Sequence, residues 1–179
     1  MVTLVVRALA ADVVVEDALP TDPAVDAFHC GDEEVEAYFH GRQWFRPKGT
    51  LATFAFHAAN DGPAIGYVTV AGQRVPHPTD ASAATARYLT VYALGVAVDH
   101  QGVRNPGRPR DTFAVSILRM VEDLARAQSA CVGLSLWVRA NNARAIGFYR
   151  KVGFVADAGG PTQRDDGAPH LTMRKALAR

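Results

Sequence analysis

The chain has little cysteine, no long hydrophobic run and almost no net charge. Its two cysteines, Cys30 and Cys131, lie far apart and lack the spacing of metal ligands or of a disulfide framework. No hydrophobic run approaches the roughly 20 residues that a membrane-spanning helix needs, and the N-terminus lacks the charged region and long hydrophobic core of a secretory signal. The net charge of +1 gives no general attraction to nucleic acid or membranes. We therefore expect a cytoplasmic protein without a metal site.

The composition is that of a globular protein, with 49% hydrophobic and 21% charged residues. A length of 179 residues predicts one domain over residues 1–179. The charges are unevenly distributed, because residues 1–100 carry 6 Lys/Arg and 12 Asp/Glu, whereas residues 101–179 carry 13 and 6. We expect the C-terminal half to attract an anionic ligand, either a phosphate-rich cofactor or a nucleic acid.

Hydrophobic periodicity predicts an alternation of strands and helices. A capped helix should follow Asp32, and residues 20–26, 74–86, 100–110 and 159–169 have turn or loop composition. The order predicts an α+β (mixed α/β) fold with helices on both faces of a sheet. The predicted strands are 2–9, 50–59, 65–73, 88–99, 133–138 and 171–176, and the predicted helices are 33–46, 112–129 and 142–151.

Residues 141–154 form a strand-to-helix segment that reads Asn-Asn-Ala-Arg-Ala-Ile-Gly-Phe-Tyr-Arg-Lys-Val-Gly-Phe. The asparagine pair can end the preceding strand and cap a helix, and Gly153 can end that helix. Tyr149 is thereby fixed on a rigid helix beside the end of a strand. A tyrosine that packs in the core of such a unit would satisfy the same pattern.

This segment resembles the last motif region of the GNAT acyl-CoA N-acetyltransferases, and the order of elements over residues 88–176 matches that family. The resemblance implies a GNAT fold with a central mixed, largely antiparallel sheet of six to seven strands. It also implies acetyl-CoA as cofactor and direct attack of a bound amine on the thioester. Tyr149 then has the role of the general acid that protonates the departing CoA thiolate.

The segment between the predicted long strand and the helix that follows it is rich in Gly, Pro and Arg. A helix N-terminus preceded by such a segment favours phosphate, and GNAT enzymes hold the CoA pyrophosphate there with a motif written Q/R-x-x-G-x-G/A. In one register, Arg104, Gly107 and Pro109 take the first, fourth and sixth positions of the motif, so that proline replaces the last small residue. This register predicts that Pro109 lies in the first turn of the helix, where proline is tolerated. The other register starts at Gln101 and Gly102 and treats the stretch that follows as an insertion. A solvated basic loop is the alternative to either register.

The resemblance assigns the cofactor contacts to three groups of residues. Backbone groups at the end of the long strand should pair with the pantetheine arm, arginines should meet phosphate, and the asparagine pair should lie near the other end of the cofactor. The resulting set is Val96, Ala97, Val98, Arg104, Gly107, Arg108, Pro109, Arg110, Asn141, Asn142 and Arg144.

The general base is left open by the sequence. Residues 87–98 contain no Asp or Glu, although the long strand is where a base would be expected. A substrate amine of low pKa would need no strong base. Asp99 is expected at the cofactor end, so the remaining candidates are Tyr92, His57, His77 and His170, or water.

A second motif, residues 28–39, reads Phe-His-Cys-Gly-Asp-Glu-Glu-Val-Glu-Ala-Tyr-Phe. A capped amphipathic helix explains it fully, but it also resembles the GNAT branch of tRNA-acetylating toxins of toxin–antitoxin modules. That branch implies the α-amine of aminoacyl-tRNA as substrate and an antitoxin as partner. A small-molecule or protein amine is the second substrate class, and a non-catalytic acyl-CoA-binding protein is the third interpretation. A homodimer is left open, and Arg42, Arg46 and Lys48 form either a basic edge for RNA or a solvated helix end.

Overall fold

The computed structural model of the protein describes residues 5–9, 23–41, 51–57, 63–76, 85–164 and 166–178. These residues form ten strands, four α-helices and a 3-10 turn at Val98–His100. The helices are α1 Pro23–Asp26, α2 Glu33–His40, α3 Phe113–Arg126 and α4 Ala143–Lys151. The strands are β1 Val5–Leu9, β2 Leu51–His57, β3 Ala64–Pro76, β4 Thr85–Val96, β5 Arg104–Asn105, β6 Arg108–Thr112, β7 Cys131–Arg139, β8 Val155–Ala156, β9 Thr162–Gln163 and β10 Pro169–Ala176. Among the described helices, none is both long and apolar enough to span a membrane.

The main sheet has the hydrogen-bonded strand order β1-β2-β3-β4-β7-β10-β8, and β9 pairs with β10. The β4–β7 pair is parallel, whereas β1–β2, β2–β3, β7–β10 and β8–β10 are antiparallel. A second sheet consists of β5 and β6 alone. The predicted fold class, a mixed and largely antiparallel sheet, is confirmed.

One compact unit comprises Met1–Ala71 and Ala93–Met120. Neighbouring strand residues point to opposite faces of a sheet. A Cβ on Gly66 of β3 would lie 2.8 Å from Ile117 Cδ1 on α3, so that helix lies against one face of β3. Tyr67 points to the other face, where its ring stacks on Phe39 at 3.8 Å and its hydroxyl donates to the Val35 carbonyl oxygen at 2.7 Å. Within this unit, helices α3 and α2 therefore cover opposite faces, as predicted.

The second compact unit comprises Gly72–Tyr92 and Val121–Arg179. Its core includes Leu134, Leu136 and Met173, which are at most 1% exposed. Lys175 lies on β10, and its Nζ donates to Glu122 Oε1 and to the Val152 carbonyl oxygen, both at 2.6 Å. Lys175 thus holds the C-terminal end of α4 to α3.

Several predicted boundaries in the first half are wrong. Helix α2 ends at His40 rather than near residue 46, and Gly41 is its C-cap with a φ of −73° and a ψ of 3°. Residues 23–26 form α1, although turn composition was predicted there. Residues 42–50, with the predicted basic edge, and residues 58–62 lie outside the described residues, as does His77.

Other corrections concern segments that loop composition obscured. The strand predicted to reach residue 99 ends at Val96, so Ala97 and Val98 lie beyond it. The loop predicted for residues 74–86 begins later, because β3 continues through Pro76. The polar segment 159–169 includes β9, and the segment 100–110 contains β5 and part of β6.

Candidate active site

Residues 104–112 form a β-hairpin inserted ahead of α3. Arg104 pairs with Thr112, and the Phe113 N–H donates to the Val103 carbonyl oxygen at 3.2 Å. The predicted position of Pro109 in the first helical turn is therefore wrong, because it lies in β6 and α3 begins four residues later at Phe113. The geometry is that of the second register, in which the hairpin is an insertion after the segment that begins with Gln101.

Buried polar groups fasten this hairpin to α3. Asn105 is 3% exposed, and its Nδ2 donates to Ser116 Oγ at 3.0 Å while its Oδ1 accepts from the Gly107 N–H at 2.9 Å. Asp111, also buried, pairs with Arg119 Nε at 2.9 Å. Because the Asp111 charge is compensated by Arg119, it does not oppose an anion at the start of the helix.

The N-terminus of α3 retains a donor for an anion. The first amides of a helix lack partners within it. Of these, the Phe113 amide donates to Val103, as above, and the Val115 amide donates to Thr112 Oγ1 at 3.4 Å. The Ala114 amide donates to no turn or loop residue within the described part of the chain.

The hairpin supplies positive charge close to this helix start in sequence. Arg108 and Arg110 are exposed on β6, whereas Arg104 Nη1 donates to the Pro109 carbonyl oxygen at 2.8 Å. Helix amides and guanidinium groups are suitable donors for phosphate oxygens. Arg108 and Arg110 are therefore the hairpin arginines best suited to meet an anion.

The segment after β4 has few unused backbone groups. The Ala97 N–H donates to the Ile65 carbonyl oxygen and the Val98 N–H to the His29 carbonyl oxygen, both at 3.0 Å. The predicted pairing of residues 96–98 with a cofactor must therefore use groups other than these two amides. Gln101 Nε2 donates to the Val96 carbonyl oxygen at 3.0 Å. This positioning role was missed, although Gln101 was visible as the first residue of the second register.

Helix α4 carries the tyrosine that the sequence singles out. Of the asparagine pair predicted to cap the helix, Asn142 is the N-cap, and its Oδ1 accepts from the Ala145 N–H at 3.0 Å. At the other end Gly153 has a φ of +95°, a left-handed conformation that glycine adopts readily. The half-buried Tyr149 ring packs edge-on against the buried Phe154, with centroids 5.6 Å apart. Asn141 and Arg144 are exposed near the start of α4.

The comparison with protein families decides the class of this protein. The sequence profile of the acetyltransferase (GNAT) family matches residues 15–154. The chain belongs to the GNAT acetyltransferase family. It is an N-acyltransferase, and its cofactor is acetyl-CoA.

Solved structures share the GNAT fold over almost the whole chain. A structure described as a bacterial toxin has a TM-score of 0.66 at 19% identity, covering 98% of this chain and 92% of the other. A tyrosine-to-phenylalanine mutant of the toxin AtaT, bound to the C-terminus of the antitoxin AtaR and to acetyl-CoA, has a TM-score of 0.63 at 17% identity, with coverage of 97% and 93%. NAA60 of Arabidopsis thaliana, in complex with a bisubstrate analogue, has a TM-score of 0.59 at 14% identity, with coverage of 98% and 100%. Among curated proteins, none matches this sequence significantly.

The donors at the start of α3 fit the phosphates of acetyl-CoA in this GNAT enzyme. They combine the Ala114 amide with the exposed Arg108 and Arg110, and both kinds of donor bind phosphate without metal ions. The cofactor contacts of Arg108 and Arg110 and the catalytic role of Tyr149 stay predictions. The individual cofactor contacts of Asn141, Asn142 and Arg144 stay predictions.

The GNAT enzyme shows no obvious catalytic base among the described candidates. His57 and His170 are buried, and His170 Nδ1 lies 3.0 Å from the Ala168 carbonyl oxygen. Asp99 lies in the 3-10 turn, and the Tyr92 hydroxyl accepts a hydrogen bond from Gln73 Nε2. Strand β4 itself, Thr85–Val96, carries no carboxylate.

The second motif of the GNAT chain has a structural role. Asp32 Oδ1 caps α2 by accepting from the Glu34 and Val35 amides at 3.2 Å, and Glu36 Oε1 accepts from the Cys30 and Gly31 amides at 2.7 Å. Burial raises the pKa of the Cys30 thiol to about 11, against a smaller opposing effect of its hydrogen bond to Asp32. Cys30 is therefore protonated at neutral pH and is not an acyl-accepting nucleophile.

Proposed function

We propose that this GNAT enzyme acetylates an α-amine of low basicity. The first candidate substrate is the α-amine of an aminoacyl-tRNA. The observation that carries the proposal is β4, Thr85–Val96, which contains no aspartate or glutamate to deprotonate an ammonium group. Without such a base, the substrate amine must already be partly unprotonated at neutral pH.

Ordinary pKa values separate the amine classes. An α-amino group titrates near 7.7–8.0 and a lysine side chain near 10.4, so at pH 7 the neutral fraction of an α-amine is roughly 300-fold larger. An enzyme without a strong base therefore selects α-amines over lysine by chemistry alone.

The transfer we propose is direct and uses Tyr149 as the acid. Acetyl-CoA, when bound, supplies the acetyl thioester. The neutral amine nitrogen bonds to the acetyl carbon and the carbon–sulfur bond breaks. Tyr149 holds a proton on its hydroxyl at neutral pH because a phenol has an ordinary pKa of about 10, and it gives this proton to the departing sulfur. The nitrogen releases one proton to water, and water returns a proton to the phenolate. The cap at Asn142 and the contact of Lys175 with Val152 fix the helix that carries Tyr149. The protonated Cys30 supplies no covalent alternative.

Two similarities support the RNA-linked substrate and an antitoxin partner. The residue 28–39 motif resembles that of the tRNA-acetylating branch, and two of the solved structures with this fold are described as toxins, one of them bound to an antitoxin. On this proposal the protein slows translation, and an antitoxin that binds it restores translation.

The test is acetylation of charged tRNA by the purified protein. A pool of aminoacyl-tRNA is incubated with acetyl-CoA, and nuclease-released aminoacyl-adenosine is analysed by mass spectrometry. We expect a mass increase of one acetyl group on at least one aminoacyl-adenosine, and no increase with Tyr149→Phe. Thiol release with peptide or small-molecule amines, without product on any charged tRNA, contradicts the RNA-linked substrate.

A protein or small-molecule α-amine is the second candidate. The same missing carboxylate on β4 favours it, and the Arabidopsis NAA60 structure with a bisubstrate analogue has the same fold. A panel of peptides with free and blocked N-termini, followed by thiol release, distinguishes this candidate from lysine acetylation.

A further inference from the structure

Three side chains in the second unit form an aromatic–arginine cluster, defined as Tyr92, Trp137 and Arg164. It contains none of the residues predicted to bind the cofactor. The Tyr92 and Trp137 rings meet edge to face, with centroids 5.6 Å apart and planes at 78°. The Arg164 guanidinium lies 4.0 Å from the centroid of the Trp137 ring. The cluster thus combines two aromatic rings with one planar cation.

A polar network holds the Tyr92 side of the cluster. The Tyr92 hydroxyl accepts a hydrogen bond from Gln73 Nε2, and Thr90 Oγ1 donates to Gln73 Oε1 at 3.3 Å. Thr90 Oγ1 also lies 2.6 Å from Ser135 Oγ, and both hydroxyls are buried. The phenol is therefore oriented by a chain of hydrogen-bonded side chains on β3, β4 and β7. The Tyr92 residue is nevertheless 39% exposed.

A tight turn holds the Arg164 side. The Gly167 N–H donates to the Arg164 carbonyl oxygen at 2.8 Å, and the Arg164 N–H donates to the Ala168 carbonyl oxygen at 3.3 Å. The flanking strands β9 and β10 pair with each other, and Gln163 Nε2 donates to the Gly167 carbonyl oxygen at 3.1 Å. The backbone of Arg164 is thus hydrogen-bonded on both its N–H and its carbonyl oxygen.

The charge of Arg164 is uncompensated within the described residues. Asp166, in the same turn, accepts from the Ala168 N–H at 3.0 Å and pairs with Arg139 at 3.4 Å. No ion pair or side-chain hydrogen bond of Arg164 exists in the described part of the chain. Stacking uses only the face of a guanidinium, so its in-plane N–H donors are available to an external anion.

We propose that the aromatic–arginine cluster binds the terminal nucleotides of a single-stranded RNA 3′ end, with a base against the aromatic rings and a phosphate at the Arg164 guanidinium. Single-stranded RNA is recognised by stacking of unpaired bases on aromatic side chains and guanidinium planes, and arginine binds phosphate in a bidentate manner. The 13 basic against 6 acidic residues of 101–179 complement the charge of RNA. The inference rests on the proposed function, because it names the part of the chain that recognises the carrier of the amine.

Binding is measured directly, without catalysis. The chain has two tryptophans, so in a Trp44→Phe background the emission comes from Trp137 alone. Titration with the RNA trinucleotide CCA should quench this emission to saturation, because a stacked base quenches indole fluorescence. A fluorescein-labelled CCA followed by anisotropy gives the affinity of every variant.

The variants separate stacking from charge. Trp137→Ala should weaken RNA binding by roughly 5–150-fold, the range for loss of one stacked base. Arg164→Gln should weaken it by about 10-fold or more through loss of the phosphate contact. Arg150→Gln removes the same charge from the exposed surface of α4 and should leave the affinity within about twofold. Thermal melting and acetyl-CoA affinity establish that each variant is folded.

Two results overturn the inference. The first is that Arg164→Gln binds RNA with the same affinity as the wild type. This variant tests the proposal even if Trp137→Ala does not fold. The second is saturation with RNA without a change in Trp137 emission. If charged tRNA is acetylated and either result is obtained, the cluster is wrong and the proposed function stands. If the wild-type protein neither binds RNA nor acetylates charged tRNA, the proposed function itself fails.

Discussion

At the residue scale, Tyr149 combines a defined position with a proton-bearing group. Its ring is held by Phe154 and its helix is capped at Asn142 and fastened at Val152. Replacement of this tyrosine by phenylalanine keeps the ring and its contact with Phe154, and it removes the hydroxyl alone.

Tyr149→Phe should lower turnover by roughly 10²–10⁴-fold, the usual range for loss of a general acid. We expect the melting temperature and the acetyl-CoA affinity to stay close to those of the wild type, because the ring remains. Stopped-flow measurement of thiol release under single-turnover conditions isolates the chemical step. Turnover within a few-fold of wild type in that step would show that Tyr149 only packs.

Glu36 allows a pH-dependent prediction. Desolvation raises the pKa of its carboxyl. Hydrogen bonds from the Cys30 and Gly31 amides and the nearby His29 and His40 lower this pKa, and together they outweigh desolvation, so the pKa lies below its usual value. The stabilisation from a lowered pKa is present above the unfolded value of about 4.3 and is lost as pH falls through the folded pKa. Glu36→Gln should therefore destabilise the protein by about 1–2 kcal/mol at pH 7, through loss of charge-assisted hydrogen bonds.

Urea unfolding of the wild type and Glu36→Gln at pH 7 and at pH values below about 4 tests this prediction. The difference between the two proteins should shrink as the pH falls. Glu33→Gln, exposed in the first turn of the same helix, is the matched control. A difference that is independent of pH would mean that the charge of Glu36 does not stabilise the turn.

At the element scale, local signals predicted the caps and missed the hairpin. Asp32 was predicted as an N-cap and the asparagine pair 141–142 as the cap of α4, because a capping side chain bonds to amides two or three residues away. The long helix α3 was predicted to within three residues at its C-terminal end and one at its start, since its hydrophobic spacing is regular. The β5–β6 hairpin was read as a loop, because its strands are short and contain Pro, Gly and Arg rather than alternating hydrophobic residues.

The hairpin also changes which arginines we expect to contact the cofactor. Arg108→Glu combined with Arg110→Glu should weaken acetyl-CoA binding by at least about 10-fold, each charge-assisted contact being worth roughly 1.5–3 kcal/mol. Calorimetric titration with acetyl-CoA measures the effect. Arg74→Glu combined with Arg150→Glu makes the same change in charge at exposed positions outside the hairpin. Equal affinities of the two double variants would remove the hairpin from the cofactor site.

At the scale of the whole molecule, the order of elements and the resemblance to GNAT enzymes predicted the fold. The partition of the chain into two compact units could not be predicted from the sequence. Strands β3 and β4 and helix α3 each contribute residues to both units. Sequence cannot show such a partition, because it depends on contacts between residues far apart in the chain. The aromatic–arginine cluster could not be predicted either, since Tyr92, Trp137 and Arg164 come from three distant segments.

We propose that the chain nevertheless unfolds as one domain. Three elements that belong to both units cannot unfold in one unit without losing partners in the other. Differential scanning calorimetry should give one transition whose calorimetric and van't Hoff enthalpies agree. Two resolved transitions, or a van't Hoff enthalpy well below the calorimetric one, would contradict a single domain.

The β5–β6 hairpin is closed at its base by a backbone hydrogen bond, and this closure bears on which of its residues can be replaced. Val103 and Phe113 are already hydrogen-bonded to each other at the base, and Asn105 ties the hairpin to α3 through Ser116. We therefore expect the exposed arginines of β6 to be replaceable without displacing the start of α3, as long as Asn105 and the Gly107 amide that it binds are kept. An enzyme built in this way can alter the charge that it presents to a phosphate-bearing ligand while its helix start, and the sheet behind it, stay unchanged.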